Sequence, residues 1–423
     1  MQYFHSVTLD ESKCKGCINC VKHCPTEAIR VKHGKAHIIA ERCIDCGECI
    51  RVCPHHAKRA VYDHLEDLKK YKHTIAIPAP ALYGQFNNLD NVDYILAGLL
   101  ELGFDEVFEV AKAAELVSEI TRKKMQSYDG AKPIISTACP AVVRLIKVRF
   151  PNLMNHLLEI NAPVEVAAKL ARKQAVEKYG LSPEEIGIFF ISPCPAKVTA
   201  ANAPIGTRQI TIDGVLAISD IYKPLLSVMN LIKSEPPILH SCGLTGISWA
   251  YTGGEATALL RSKYLAADAI GNVISVLENI EDEKLTDLDF VELSACHAGC
   301  VGGCLTIENP FVAITRIRRL RKYLPVSATR LSDFGVDENS FDWDEKEDGN
   351  MAMRLDTDLA RAMEKMKEIQ RIEKILPGID CAACGSPSCY AFAEDVVAGH
   401  AKEADCVFVM RDRLKKLMEN ITE

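Results

Sequence analysis

The chain has 423 residues, 48% of them hydrophobic and 25% charged, a composition that excludes disordered, collagen-like and coiled-coil proteins. Its 50 Lys and Arg against 57 Asp and Glu give a formal charge of −7, unlike the basic balance of a dedicated nucleic-acid binder. No uncharged apolar run approaches the roughly 18 residues of a membrane span, and residues 1–10 carry neither a basic start nor an apolar signal core. The expectation is a cytoplasmic chain with no membrane or nucleic-acid partner and, at this length, about three domains. Its 18 cysteines, without an export signal, ask for metal ligation and not a disulfide framework.

Cys14, Cys17, Cys20 and Cys24-Pro25, followed by Cys43, Cys46, Cys49 and Cys53-Pro54, form an internal repeat. In each copy three closely spaced cysteines wrap one loop around a cube of iron and sulfide, and loop N–H groups can donate to the sulfides. The fourth cysteine serves the other cube. Cluster I is therefore assigned Cys14, Cys17, Cys20 and Cys53, and cluster II Cys43, Cys46, Cys49 and Cys24. Zinc motifs usually split into two separated Cys pairs, unlike these unbroken runs. Residues 1 to about 60 resemble a bacterial two-cluster ferredoxin, and 1–72 are taken as that α+β domain.

From about 73 to 330 apolar strands alternate with amphipathic helices. Strands are predicted at 74–78, 134–137 and 186–192, and helices at 91–102 and 111–124. Strand followed by helix, repeated, predicts parallel α/β layers whose functional groups gather at the carboxyl ends of the strands. Four cysteines stand in three motifs here: Thr137-Ala138-Cys139-Pro140, Ser192-Pro193-Cys194-Pro195-Ala196-Lys197, and Glu292-Leu293-Ser294-Ala295-Cys296-His297-Ala298-Gly299-Cys300-Val301-Gly302-Gly303. Residues 332–349 are rich in Asp, Glu, Asn and Gly, and 351–375 read as one long charged helix, so 332–370 are expected to be an acidic linker and connecting helix. In 371–423, Cys381, Cys384, Cys389 and Cys406 make a last set of four. Gly385 allows a tight turn after the second of them, and a short helix over 390–400 leads back towards Cys406. This stretch resembles the one-cluster domain of corrinoid iron-sulfur proteins and electron-transport subunits. Zinc is the alternative, because C-x2-C alone does not choose the metal.

The three motifs of the middle region, with Leu102-Gly103-Phe104-Asp105-Glu106-Val107-Phe108 and Thr252-Gly253-Gly254, resemble the catalytic domain of the iron-only (diiron) hydrogenases. The resemblance runs over nearly the full chain. It implies a multidomain α/β protein: the ferredoxin-like domain, a two-lobed α/β catalytic domain with parallel sheets at 73–331, and a small, mostly helical iron-sulfur domain at 371–423. It further implies that Cys139, Cys194, Cys296 and Cys300 hold a 4Fe-4S cube, bridged by Cys300 to a diiron subcluster bearing CO, cyanide and a dithiolate amine. That assembly, the H-cluster, would join three further 4Fe-4S clusters.

Other roles follow from the same resemblance. Gly299, Gly302 and Gly303 are expected to give the bridging Cys300 room. Lys197 matches a family lysine that donates to an iron-bound cyanide, and Ala79-Pro80 match a segment lying against the second cyanide. Ser192 and Ser294 stand where typical members place methionines against the diiron unit, a hydroxyl replacing a thioether. Ala138 replaces the cysteine that passes protons to the bridging amine, and a methyl group carries no proton. The acids of the usual relay fall near 119–121 without a clear pair. Cys242 is expected to be a buried apolar thiol, and Cys304 a stand-in for proton or redox chemistry. His297 is expected to donate to a cluster sulfide, and Trp249 and Tyr251 to be core residues.

These departures resemble the sensory subgroup of the family. The implied activity is slow interconversion of H2 with protons and electrons, used as an H2 or redox signal. The implied partners are H2 and protons, a redox protein such as ferredoxin, a downstream signalling protein and the hydrogenase maturation enzymes. Two alternatives are a metabolic hydrogenase with a non-standard proton route and a non-catalytic iron-sulfur assembly factor lacking the diiron unit.

Overall fold

The computed structural model describes residues 4–232 and 234–422. The chain divides into two compact units, one made of residues 1–43, 48–60 and 350–423 and the other of 44–47 and 61–349. Among the described residues no helix is long and apolar enough to cross a membrane.

The first unit carries β1 (Val7–Leu9), β2 (Ile29–Lys32), β3 (Lys35–Ile38) and β4 (Lys58–Ala60). β1 pairs with β4 and β2 with β3, both antiparallel. The β2–β3 hairpin closes on His33-Gly34, both at positive φ, the two-residue geometry whose twist matches the flanking strands. The cysteine repeat is also a repeat of backbone conformation. Glu27 and His56, each three residues after the fourth cysteine of its copy, have φ of +50° and +48°. Ala28 N donates to Cys24 Sγ at 3.2 Å, and Ala57 N to Cys53 Sγ at 3.3 Å.

The C-terminal part of this unit contains helices Leu359–Glu373, Cys389–Val397 and Val407–Thr422, with Ile369, Ile372, Leu376 and Phe392 packed around Cys406. The single helix expected over 351–375 is thus broken. A short turn, Met351–Met353, comes first, and the helix begins only at Leu359. Asp356 accepts from Asp358 N, and Asp358 accepts from Arg361 N; these aspartates offer the backbone a turn and then a cap in place of a continuous helix.

The second unit holds β5 (His73–Pro78), β6 (Glu106–Val107), β7 (Ile134–Ile135), β8 (Ile186–Ser192), β9 (Gly214–Ala217), β10 (Tyr264–Asp268) and β11 (Phe290–Ser294). One sheet has the order β6-β5-β8-β9 and the other β10-β11-β7. Every pairing in both is parallel, which gives the two α/β lobes expected. β5 and β8 are buried along their whole length, as strands covered on both faces must be. Helices Asp93–Glu101 and Val110–Lys124 lie within two residues of their expected bounds. β7 stops at Ile135 although Ser136 N still donates to Val291 O. The Thr137 hydroxyl turns away to Leu158 O and Ile160 O.

The polar stretch 332–349 packs as part of this second unit. Phe341 is buried, its carbonyl accepts from Asn161 N, and Trp343 Nε1 donates to Ile160 O at 3.0 Å. Two aromatic side chains tie down a segment whose polar composition alone reads as a linker.

Candidate metal centre and proton-bearing cavity

The carboxyl ends of β5, β7, β8 and β11 deliver the functional residues. Ala79-Pro80 follow β5, Ala138-Cys139 follow β7, Cys194 follows β8, and Cys296 and Cys300 follow β11. Cys139 and Cys194 each precede a helix with proline in its first turn, Pro140–Arg149 and Pro195–Asn202. A helix N-terminus favours a thiolate over a thiol. Burial pushes the Cys194 thiol up to about 11, with the nearby Lys197 charge acting in the opposite direction.

Lys197 Nζ lies 3.6 Å from Cys300 Sγ. Burial disfavours its charge, but Cys300, Cys194, Cys139 and Cys296 all act on it in the opposite sense and hold the ammonium above the ordinary lysine range. One lysine therefore sits among all four cysteines. Beside it is a cavity with an envelope of about 680 Å³, lined by Ala79, Pro80, Ala138, Cys139, Lys197, Ser294 and Cys300 among others. Four soft sulfur donors suit an iron-sulfur cube, and the adjoining space with a cationic donor suits a further group bearing anionic ligands. On both counts the residues fit the H-cluster.

Several expected residues do other work. Ser192 is fully buried, and its hydroxyl donates to Cys194 O at 3.0 Å, so it shapes its own turn, whereas Ser294 reaches the cavity. The glycines around Cys300 are required by backbone and not by open space. A Cβ on Gly302 would stand 1.9 Å from His297 O, and one on Gly303 2.2 Å from Pro193 O. Cys304 packs against Gly47 and is not among the residues lining the cavity. The His297 Nδ1 atom faces Asp268 at 3.4 Å, and its side chain is more than half exposed; that nitrogen serves a carboxylate. Cys242 is buried as expected, but its thiol donates to Glu109 at 3.1 Å. Trp249 lines the cavity.

Residues 119–121 place no acid on the cavity. Glu119 accepts from Leu331 N, and the Thr121 hydroxyl donates to Val117 O. A different pair, missed in the sequence, does line it: Glu255 and Glu292, 4% and 5% exposed. Glu255 accepts from Ser136 Oγ at 2.6 Å, and the same Ser136 oxygen accepts from Ala138 N. Glu292 accepts from Gly253 N at 2.9 Å and Ala256 N at 2.8 Å. Burial first, and then the neighbouring carboxylate's charge, hold Glu255 well above the usual carboxylate range. Burial also raises Glu292, against the pull of its backbone donors. The available signal was a glutamate inside the apolar strand Phe290–Ser294 and another directly after Gly253-Gly254.

The C-terminal cysteines Cys381, Cys384, Cys389 and Cys406 line one cavity with an envelope of about 310 Å³. Four soft donors converging on one space fit a single cube.

Comparison with known families agrees with this architecture. Residues 72–262 match the iron only hydrogenase large subunit, C-terminal domain; residues 6–54 match a 4Fe-4S dicluster domain, and 376–408 an Fe-S cluster family. The chain is a multidomain iron-sulfur protein. More particularly, it carries an FeFe-hydrogenase large-subunit domain together with ferredoxin-like 4Fe-4S domains. It is 27% identical over 375 residues to iron hydrogenase 1 of Clostridium pasteurianum, across 70% of this chain and 64% of that one, and so spans less than two thirds of that relative. It is 29% identical over 290 residues to the periplasmic [Fe] hydrogenase large subunit of Nitratidesulfovibrio vulgaris, across 62% and 68% of the two chains. Cytosolic iron-sulfur assembly component 3 of Bos taurus is 20% identical over 282 residues, across 53% and 59%. A solved single-site variant of an FeFe-hydrogenase from Chlamydomonas reinhardtii superposes with TM-score 0.51 at 17% identity, covering 68% of this chain and 98% of that one; this similarity concerns the fold.

Proposed function

We propose that the protein interconverts H2 with protons and electrons at an H-cluster held by Cys139, Cys194, Cys296 and Cys300, with three further 4Fe-4S clusters as electron carriers. The observation that carries the proposal is the convergence of Cys300, Lys197 and two proton-holding carboxyls on one cavity. The bound H-cluster would supply the site at which H2 is split or formed. Lys197 would hold its anionic ligands by charge-assisted donation. Ala79, Pro80 and Ala138 keep part of the wall apolar and exclude water.

Ala138 cannot carry a proton, but the wall has another carrier. Burial and the Glu292 charge raise the proton affinity of Glu255, and burial raises that of Glu292, so the pair keeps a proton at pH values where ordinary carboxylates have lost theirs. Ser136 joins Glu255 to the backbone of Ala138. The pair is thereby placed to accept or donate a proton at the cavity wall.

The pair favours a working hydrogenase with a non-standard proton route over the assembly-factor reading. The use of this chemistry as an H2 or redox signal, in the cytoplasm and through a redox protein and a downstream partner, rests on the replacements at Ala138, Ser192 and Ser294. Infrared spectra of protein loaded by the maturation enzymes test the first level: iron-bound CO and cyanide bands are expected, and their absence at full iron content supports the assembly factor. Binding of a candidate partner under H2 and under oxidising anaerobic conditions tests the second. Equal affinity in both refutes signalling, because a ligand shifts states only by differential affinity.

A further inference from the structure

The loop that carries Cys381 and Cys384 is built into the cluster-binding core at the start of the chain. Gly385 lies on β2: Val31 N donates to Gly385 O at 2.9 Å, and a Cβ on Gly385 would stand 2.0 Å from Val31 O. Ala382, between the two cysteines, is 2% exposed and belongs to the same buried core as Cys14, Cys20 and Cys53. Beside this contact Arg30 of β2 pairs with Asp395 of helix Cys389–Val397 at 2.6 Å, with side chains only 5% and 10% exposed. Ser386 Oγ donates to the same Asp395 oxygen at 2.7 Å. Arg42 and Glu394, at 3.5 Å, add a second ion pair across the joint.

A buried ion pair is a poor source of net stability, because desolvating both charges offsets their attraction, but its geometry admits one arrangement. Here it holds the Cys381–Cys384 loop in one register on β2. We infer that this joint is an electron junction: the C-terminal cube exchanges single electrons with the cube held by Cys14, Cys17, Cys20 and Cys53, and Arg30 and Asp395 are positioning residues for that exchange. The inference rests on the reading of both cysteine sets as 4Fe-4S sites. In the reducing direction a soluble one-electron donor protein reduces the C-terminal cube by one electron. That cube then returns to its oxidised state as the cube at Cys14, Cys17, Cys20 and Cys53 is reduced by the same electron. No bond or proton changes place, and H2 oxidation runs the transfer backwards.

Iron and zinc per chain are measured first, on the full chain and on its Cys389→Ser variant, followed by electron paramagnetic resonance of both in the fully reduced state. The expected result is loss of one cube's iron in the variant, together with loss of a dipolar splitting that the intact chain shows on its N-terminal cube signal. Asp395→Asn is expected to keep all the iron and lose the splitting, and Asp395→Glu to restore part of it. Zinc at the C-terminal set, or unchanged iron in Cys389→Ser, overturns the reading of that set as a cluster. Full iron with superimposable N-terminal signals in the intact chain and Cys389→Ser overturns the junction while leaving the cluster reading intact. An unchanged splitting in Asp395→Asn removes the positioning role of the pair, and the comparison with Cys389→Ser holds even where that variant folds poorly.

Discussion

Glu255→Gln is the substitution that most directly tests the proton-bearing wall. The amide keeps the shape and an oxygen able to accept from Ser136 Oγ, which lies 2.6 Å away in the native protein, but it cannot exchange a proton. General acid-base assistance by a placed side chain is typically worth about a hundred- to ten-thousandfold in rate, so the substitution should raise the barrier by ~3–5 kcal/mol at 1.36 kcal/mol per tenfold. A second effect follows from the pair itself. Glu255 is the member whose proton affinity burial and the facing Glu292 charge raise furthest, so its loss leaves only Glu292, pushed up to about 7 by burial, to hold a proton at the wall. H2 evolution should therefore be slow and decline at lower pH than in the native protein, and an enlarged solvent isotope effect should accompany the slow turnover. H2 evolution in light and heavy water, across pH, is the assay, with infrared bands checked first so that only fully loaded protein is compared. Glu255→Asp, which keeps a carboxyl, should recover part of the rate. Native rates in both Glu255→Gln and Glu292→Gln, with cofactor bands intact, would refute the reasoning.

Glu165, 7% exposed, is pushed up to about 7 by burial, against the Ala162 N–H and the charge of Lys169. Because the folded state keeps this proton after the unfolded chain has released it, stability should fall as pH rises from the ordinary glutamate value to about 7 and stay lower above it. Glu165→Gln should remove up to about 3 kcal/mol of that dependence, read as denaturation midpoints at acid and alkaline pH; parallel pH profiles for the two proteins would count against it. Lys197→Met should weaken retention of the diiron unit or shift its cyanide bands while the cube at Cys139, Cys194, Cys296 and Cys300 keeps its iron, and unchanged spectra at unchanged iron would reject the role given to the ammonium. Gly303→Ala drives a methyl group to 2.2 Å from Pro193 O and should cost at least about 1–3 kcal/mol, as overpacking does. Gly180→Ala, with nothing within 4 Å of its Cβ and only a φ of +65° to strain, should cost about 1 kcal/mol; thermal midpoints order the two, and the reverse order would be inconsistent with the close approach.

The cluster-binding loops were legible because their ligands are contiguous. A cysteine every third residue reports the wrapping of one loop, and the paired φ values at Glu27 and His56 show that the repeat in residue type is a repeat in backbone. The parallel lobes were legible for a similar reason: the runs ending at Pro78 and Ser192 are mostly apolar and lie buried along their whole length. Composition misled where a few aromatic contacts outweighed many polar residues, as at Phe341 and Trp343. It also misled where short side chains competed for the backbone, as at Asp356 and Asp358.

Sequence by itself determined that the sulfur donors come in sets of four, with C-x2-C spacing alone leaving iron-sulfur and zinc both open at the C-terminal set, and that the cysteine which passes protons in the resembled family is absent at Ala138. Only the tertiary structure brought together the carboxyls proposed to stand in for it. Glu255 comes from the helix Gly254–Ala258 and Glu292 from β11, and neither has a raised proton affinity until burial removes its water and, for Glu255, brings in the Glu292 charge. The same holds for Cys304, placed beside Gly47, and for the C-terminal cysteines, joined to β2 through Gly385 and the Arg30–Asp395 pair. Spacing along the chain reports which residues are neighbours in one loop; desolvation and charge depend on every element packed around a group, and these contacts exist only once the chain has folded.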